Sequence, residues 1–259
     1  MSHLKLKDRI ESYEDLTDYR LLNKLPIVIS INGKAFSKVT SLLEKPYDQK
    51  FTESILATTL KLVTEIEGTF FAYCYNDEIV IITRNDQNID TSPWFDNKLQ
   101  KIISVSSSIA TLYFNKYASS IGLNFISDAL FSSQVFVVPN MAEAINTVVY
   151  KQQQNFHVSI YFACFYELLK KYDKNTIKEM LIGLSIDEKI DILSQECEVN
   201  FNDYSQVYRR GAACYKAPKV IDGNLKNKWI INTDLPIFTK DQSFLNNIFK
   251  NGTDIFRKD

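Results

Sequence analysis

The chain has 259 residues, of which 45% are hydrophobic and 24% are charged, as in ordinary globular proteins. This length is enough to bury a sizeable core in one large domain or in two of ordinary size. The formal net charge of −1 excludes a global positive field that would attract nucleic acid or anionic lipid. Any contact with RNA must therefore come from a local basic patch.

The first half of the chain alternates predicted helices and strands. A polar, amphipathic segment predicts a lead-in helix over 4–19, and later helical spacing predicts helices over 50–67 and 96–115. Apolar runs predict strands over 26–31, 69–74, 79–83 and 134–138, the middle two joined as a hairpin across 75–78. The order strand, helix, strand, strand, helix, strand indicates a split βαβ unit of ferredoxin-like character. We therefore predict an α+β fold with helices packed on one sheet.

After Pro139 the pattern becomes mostly helical. It predicts helices over 141–172, 177–184 and 186–197, with a small terminal strand formed by 229–231 and 237–238. The aromatic residues of the long helix favour core packing over a nucleic-acid platform. This change divides the chain into predicted domains of residues 1–139 and 140–259.

The cysteines and the apolar runs bear on the cellular compartment. Cys74, Cys164, Cys197 and Cys214 form no Cys-x-x-Cys pair, and with only two histidines the chain contains no zinc pattern. We expect reduced thiols in a cytoplasmic protein. No run approaches the roughly 20 apolar residues that span a bilayer, and the charged N-terminus lacks a signal-peptide core, so we expect no membrane contact.

Two short stretches carry the chemistry. In the stretch 28–36 a buried run reaches Asn32-Gly33, and both residues accept a positive φ cheaply, so we expect the strand to end there in a turn. The N–H groups of such a turn can bind an anion, and an ordinary tight turn is the alternative. The stretch 75–79 places Asp77 and Glu78 between two apolar runs. The two stretches can meet on neighbouring strands.

These stretches belong to an ordered set of short motifs. The others include Asp8-Arg9-Ile10, Lys45-Pro46-Tyr47-Asp48, Trp94-Phe95, Ser104-Val105-Ser106, Gln152-Gln153, Asn202-Asp203-Tyr204 and Arg210-Gly211. Together they resemble the tRNA-His guanylyltransferase family and the related 3′-to-5′ polymerases over nearly the whole chain. The resemblance implies a polymerase-palm-like nucleotide-binding domain and a smaller, mostly helical C-terminal domain, usually in a homotetramer. It also implies addition of a nucleotide to a tRNA 5′ end, after activation by GTP or ATP, with two carboxylates holding two Mg²⁺ ions.

The resemblance assigns the site residues. Asp77 and Glu78 are the expected catalytic carboxylates, and Asp77, Asn32 and Gly33 are the expected metal ligands. The expected nucleotide-binding residues are Gly33, Lys34, Ala35, Phe36, Ser37, Lys45 and Lys101. A solvated surface lysine is the alternative for each cation in this set. Arg209 and Arg210 resemble a basic element near tRNA, and a solvated loop is again the alternative.

Several positions depart from the family pattern. The family's Arg-Ile-Asp-Gly-Arg stands here as Ser30-Ile31-Asn32-Gly33-Lys34, so an amide with one carbonyl oxygen replaces the first metal-binding aspartate. The family also has a histidine shortly after this motif, and Ser37 takes its place in this chain. The family's Phe-Asp-Ala-Arg is Phe-Ser-Ser-Gln at 131–134, and its Trp-Arg-Gln-x-Asp is Tyr-Lys-Gln-Gln-Gln at 150–154.

We therefore predict a family member that keeps the palm fold and binds NTP phosphates but has a degraded two-metal site and weak or no catalysis. It would act as a nucleotide- or tRNA-binding protein, or in a hetero-oligomer with an active paralogue. The alternative is an active Mg²⁺-dependent 3′-to-5′ nucleotidyltransferase that adds a nucleotide to a tRNA 5′ end.

Overall fold

The protein is built on one six-stranded antiparallel sheet. The computed structural model describes residues 5–87, 90–123, 128–221 and 224–254. The strands are β1 (Ile27–Lys34), β2 (Thr69–Tyr75), β3 (Glu78–Thr83), β4 (Leu130–Val137), β5 (Ala212–Ile221) and β6 (Asn224–Asn232). Their order in the sheet is β4-β1-β3-β2-β5-β6, and each neighbouring pair is antiparallel.

Helices surround the sheet. They are α1 (Leu6–Asp15), α2 (Phe36–Val39), α3 (Gln49–Glu65), α4 (Leu99–Ser120), α5 (Met141–Leu168), α6 (Lys174–Leu181), α7 (Ile186–Gln195), α8 (Gln206–Arg210) and α9 (Ser243–Asp254). Short 3₁₀ turns cover Trp94–Asn97 and Phe201–Asp203. None of the helices in the described ranges is long and apolar enough to cross a membrane.

The first four strands confirm the predicted split βαβ unit. With α3 after β1 and α4 after β3, the order β4-β1-β3-β2 is that of a ferredoxin-like, palm-like sheet. Both faces of its central strands are buried, which explains their continuous apolar runs. In β1, Ile29 and Ile31 pack in the cluster that holds α3 and α4, whereas Val28 faces the cluster that holds α5 and α9.

The predicted end of the first strand is wrong. β1 continues through Asn32 and Gly33, which pair with β3 and β4, and ends at Lys34. The residue with positive φ is Ala35, at 55°. Gly33 is needed for a different reason: a Cβ at this position would lie 2.3 Å from the Phe36 ring. The close approach of Phe36 therefore explains this glycine, and the chain turns two residues later than expected.

The C-terminal part is helical but also completes the sheet. The predicted strand at 229–231 belongs to the longer β6, whereas 237–238 lie outside any strand, which corrects that part of the prediction. β5 was not predicted, and it pairs with β2 from Phe71↔Tyr215 to Cys74↔Ala212. Helices α6, α7 and α8 pack with α5 around a third core that contains Ile160, Leu168, Ile177, Leu193 and Tyr208.

Candidate nucleotide site

A cleft of about 690 Å³ opens where the end of β1 and the β2–β3 hairpin meet α2, the 40–48 loop and α5. Asn32, Ser37, Asp77 and Glu78 lie at its palm side. Its opposite wall is formed by α5 and by Tyr208 of α8. Both the palm-like part and the helical part therefore contribute to one concave site, whose volume is in the range of small-molecule sites.

The β2–β3 hairpin is fixed to the end of β1. Asn76 takes a φ of 44° in the turn, a conformation that asparagine tolerates. The Gly33 N–H donates to the Asp77 carbonyl oxygen at 3.0 Å. This bond holds Asp77 beside β1, and it also engages the Gly33 N–H.

Glu78 is the centre of a buried polar network on the side of the sheet that faces α5. Ser30 Oγ donates to Glu78 Oε1 at 2.8 Å, and the Tyr75 hydroxyl donates to Oε2. Lys151 of α5 forms an ion pair with the same carboxylate. Burial and the hydrogen bond to Glu78 raise the pKa of Tyr75, so its hydroxyl stays protonated as a donor. Both carboxylate oxygens of Glu78 thus have protein partners.

Asn32 joins this network as a donor. Its Nδ2 donates to Ser30 Oγ at 3.2 Å, and Ser30 passes its own proton toward Glu78. The polarity of the chain Asn32–Ser30–Glu78 suits an amide at position 32. An ionised aspartate there would face the Ser30 oxygen with no proton between them.

The donors of the site do not fit a pair of Mg²⁺ ions. Of the two hairpin carboxylates, Glu78 is held by Lys151, which leaves Asp77 as the carboxylate available to a cation. Within the described ranges, no group of three or more His, Cys, Asp or Glu side chains is placed to hold a metal. A single Mg²⁺ that arrives with a triphosphate needs only one or two carboxylates, because phosphate oxygens and waters supply the other ligands.

Asp77 is half-buried, and its ionisation is perturbed. Burial raises the pKa of this carboxyl from 3.8 to about 6; a hydrogen bond from its own backbone opposes the shift, and the charge of Glu78 adds to it. The folded protein therefore holds a proton on Asp77 more tightly than the unfolded chain does. A cation near Asp77 would compete with this proton below about pH 6.

We expect Asp77→Asn to stabilise the protein in a pH-dependent way. Because the folded-state pKa is raised, the stability contribution of Asp77 falls as pH rises from about 4 to about 6, and the cost persists above that. The variant should exceed the parent by up to about 3 kcal/mol above pH 6 and match it near pH 4, as measured by urea unfolding. Asp90→Asn, which changes an exposed carboxyl, is the control. A difference independent of pH would contradict this origin.

Among the other predicted nucleotide-binding residues, Lys45 lies in the cleft. Lys45 lines the cleft, donates to Thr40 Oγ1 at 3.1 Å and lies 5.6 Å from the centre of the Tyr166 ring. Burial lowers the pKa of Lys45, and the charge of Asp48 opposes this shift. Its ammonium group, in the cleft, is a point charge that can bind a phosphate.

Phe36 and Ser37 also line the cleft. The Phe36 ring is mainly a core residue, because it packs on Phe51, Phe114 and Phe131 with centroids 4.9–6.1 Å apart. Ser37 is exposed at the start of α2.

The remaining predicted site residues do not line the cleft. Lys34 and Ala35 are exposed at the end of β1, and Lys101 lies exposed on α4 with its Nζ 5.9 Å from the centre of the Phe95 ring. The Arg210 guanidinium donates to the Leu235 carbonyl at 2.9 Å, and Arg209 donates to the Tyr204 carbonyl at 2.9 Å. Both arginines lie on α8, which differs from the solvated loop of the alternative, and a basic element near tRNA stays a prediction.

The sequence did not indicate two features of the site. The first is Lys151 as the partner of Glu78. The signal that could have revealed it is its position, which matches the arginine of the family's Trp-Arg-Gln motif. The second is the role of Gln152, which is buried and joins α5 to the segment before α9. Gln152 donates to the Pro236 carbonyl at 3.0 Å and accepts from the Phe238 N–H at 2.7 Å.

Comparison with known proteins agrees with this architecture. A family model described as tRNAHis guanylyltransferase matches residues 7–139, and one described as Thg1 C terminal domain matches residues 148–255. The tRNA(His) guanylyltransferase of Schizosaccharomyces pombe is 24% identical over 81% of this chain and 79% of its own length. The tRNA(His) guanylyltransferase 1 of Arabidopsis thaliana is 26% identical over 80% of this chain, which spans 36% of that relative.

Solved structures give the same result. A bacterial tRNA(His) guanylyltransferase-like protein in complex with ATP has a TM-score of 0.82 and 26% identity, covering 95% of this chain and 99% of that one. A bacterial tRNA(His) guanylyltransferase-like protein in complex with GTP has a TM-score of 0.74 and 27% identity, covering 94% and 98%. The two family models together span both halves of the sequence. This chain belongs to the tRNA(His) guanylyltransferase family.

Proposed function

We propose that this chain is a nucleotide-binding member of its family in which the two-metal site of nucleotide transfer is degraded, so that transfer is weak or absent. The observation that carries the proposal is the engagement of the site's own groups with each other. Asn32 is a hydrogen-bond donor toward Ser30, and Glu78 is neutralised by Lys151. A second divalent ion would have to displace these partners and would still lack one carboxylate.

The charge balance of the site supports this interpretation. Relative to the family pattern, Ser30 removes a positive charge and Asn32 removes a negative one. Because the two losses are opposite in sign, the summed charge of these two positions is unchanged. The fold can therefore tolerate the loss of a metal ligand without leaving a buried charge unpaired.

The cleft is well suited to a triphosphate. Lys45 lines it with an exposed ammonium group that can pair with phosphate oxygens. The similar bacterial proteins were solved with ATP and with GTP, and the curated relatives are named for tRNA(His). We propose GTP or ATP as the ligand and a tRNA as the macromolecular partner. We further propose a homotetramer, or a hetero-oligomer with an active paralogue.

One observation favours an active enzyme instead. Asp77 remains in the cleft beside Asn32, and these two side chains with a triphosphate supply enough oxygen ligands for one Mg²⁺. Under this alternative the chain adds a nucleotide to a tRNA 5′ end in the 3′-to-5′ direction.

Two measurements on the full chain separate these functions. ATP and GTP binding is measured by calorimetry with and without Mg²⁺, and transfer is measured with a labelled nucleotide and a 5′-monophosphorylated tRNA. We expect binding in both conditions and little or no transfer. Efficient transfer that Asp77→Ala abolishes would establish the active enzyme. Failure of both nucleotides to bind would contradict the proposed function itself.

A further inference from the structure

The α5 wall of the cleft carries an aromatic surface. Phe162 and Tyr166, one helical turn apart, lie with their rings 27° from parallel and their centroids 6.0 Å apart. We call this pair the aromatic shelf. Phe162 is 40% exposed, although it is large and apolar and lies inside a cleft. The shelf therefore exposes the Phe162 ring in the same cavity as Asp77 and Lys45.

Several polar groups around the shelf are engaged within the protein. Four side chains on the loop side of the cleft donate or accept within their own turns and helix ends. Thr40 Oγ1 and Ser41 Oγ donate to carbonyls of α2, and Thr52 Oγ1 donates to the Asp48 carbonyl. The Asp48 carboxylate accepts from the N–H groups of Phe51 and Glu44. These groups are therefore poorly placed to read the edge of a nucleobase.

The cations near the shelf suit the charged end of the same ligand. Lys45 lies over Tyr166, and Lys174 lines the cleft beyond it. A ligand with an aromatic ring at one end and several negative charges at the other matches this combination. A nucleoside triphosphate is such a ligand.

We propose that the aromatic shelf of Phe162 and Tyr166 binds the purine base of the nucleotide by its face, so that the site takes ATP and GTP with similar affinity. The inference rests on the proposed nucleotide-binding function and adds the basis of its specificity. Stacking tolerates different bases because every base has a π-face, whereas discrimination between adenine and guanine requires edge contacts. Purines should bind better than pyrimidines, since their larger rings cover more of the shelf.

The test compares ATP, GTP, CTP, UTP and inorganic tripolyphosphate by calorimetry on the full chain. We expect ATP and GTP to agree within about threefold, and both to bind at least about tenfold more tightly than tripolyphosphate. Phe162→Ala should weaken ATP and GTP equally, by about tenfold, and leave tripolyphosphate unchanged. Phe162→Trp should keep the affinity for both purine nucleotides, since it restores a stacking face.

Tyr117→Ala is the matched control, because Tyr117 is 37% exposed on α4, away from the cleft lining, and should change no affinity. Thermal unfolding confirms that each variant is folded. Strong preference for one purine would overturn the proposed stacking of the base on the shelf, while nucleotide binding itself would stand. Equal nucleotide affinities of Phe162→Ala and the parent would do the same. An equal loss of tripolyphosphate binding in Phe162→Ala would also overturn it. If neither nucleotides nor tripolyphosphate bind the parent, both the shelf and the proposed function fail.

Discussion

Replacing Lys151 with methionine is expected to lower the free energy of unfolding by about 3 kcal/mol. The substitution keeps most of the aliphatic side chain of α5 but removes the cation that faces Glu78. Glu78 is only 8% exposed, and the donors left to it, Ser30 and Tyr75, are neutral hydroxyls. A buried charge that has lost its ionic partner costs more than the pair contributed, because water cannot reach it.

The same network predicts a rescue. Glu78→Gln in the Lys151→Met background should recover most of the lost stability, since an uncharged amide oxygen still accepts from Ser30 or Tyr75. Urea unfolding of the parent, both single variants and the double variant gives the coupling energy of the pair. Lys61→Met, which breaks an exposed pair with Glu65, should have only a small effect. A Lys151→Met variant as stable as the parent would show that the ion pair does not hold the network.

Asn32→Asp is expected to make the stability of the protein depend on divalent cations. Without a cation the variant should lose about 1–3 kcal/mol, because the new carboxylate faces the oxygen of Ser30, whose proton is directed to Glu78. With Mg²⁺ or Mn²⁺ the two carboxylates at positions 32 and 77 can share an ion. Saturation at about 100 times the dissociation constant would then add about 2.7 kcal/mol.

The thermal midpoint of unfolding, measured with and without each cation, checks this expectation. The control is the double variant Asn32→Asp with Asp77→Asn, which keeps the new charge but removes its partner carboxylate. That control should not gain the cation response. If the cations already stabilise the parent protein as much as the Asn32→Asp variant, Asn32 is not the substitution that weakens the metal site.

The sequence predicts the palm-like half of the fold well for a physical reason. Strands β1 and β3 are buried on both faces, so their apolar runs are continuous and are bounded by polar turns. Apart from 229–231, the β5–β6 hairpin gives no such signal. Its outer half is exposed, with Val220 and Leu225 facing solvent and Pro218 within β5, so neither periodicity nor burial marks it as a strand.

The candidate site likewise has one part that the sequence predicts and one part that it does not. Asn32 and the hairpin carboxylates are adjacent in the sheet, as strand pairing requires: Asn32 lies opposite Glu78. The partner of Glu78 comes from 73 residues further along the chain, and its contact depends on how α5 crosses the sheet. Which turn of a long helix faces a given strand is set by packing, which the local sequence does not encode. The position of the aromatic shelf also depends on how α5 packs, so the local sequence does not predict it.

The position of β5 has a consequence for how the two halves of the chain depend on each other. β2 is an inner strand because β5 covers it; within residues 1–139 it would be the edge of the sheet. It carries the buried side chains Phe71, Tyr73 and Cys74, and lacks the charges and prolines that protect natural edges from pairing with other chains. We therefore expect the C-terminal part to shield the palm-like half from aggregation, in addition to supplying one wall of the cleft.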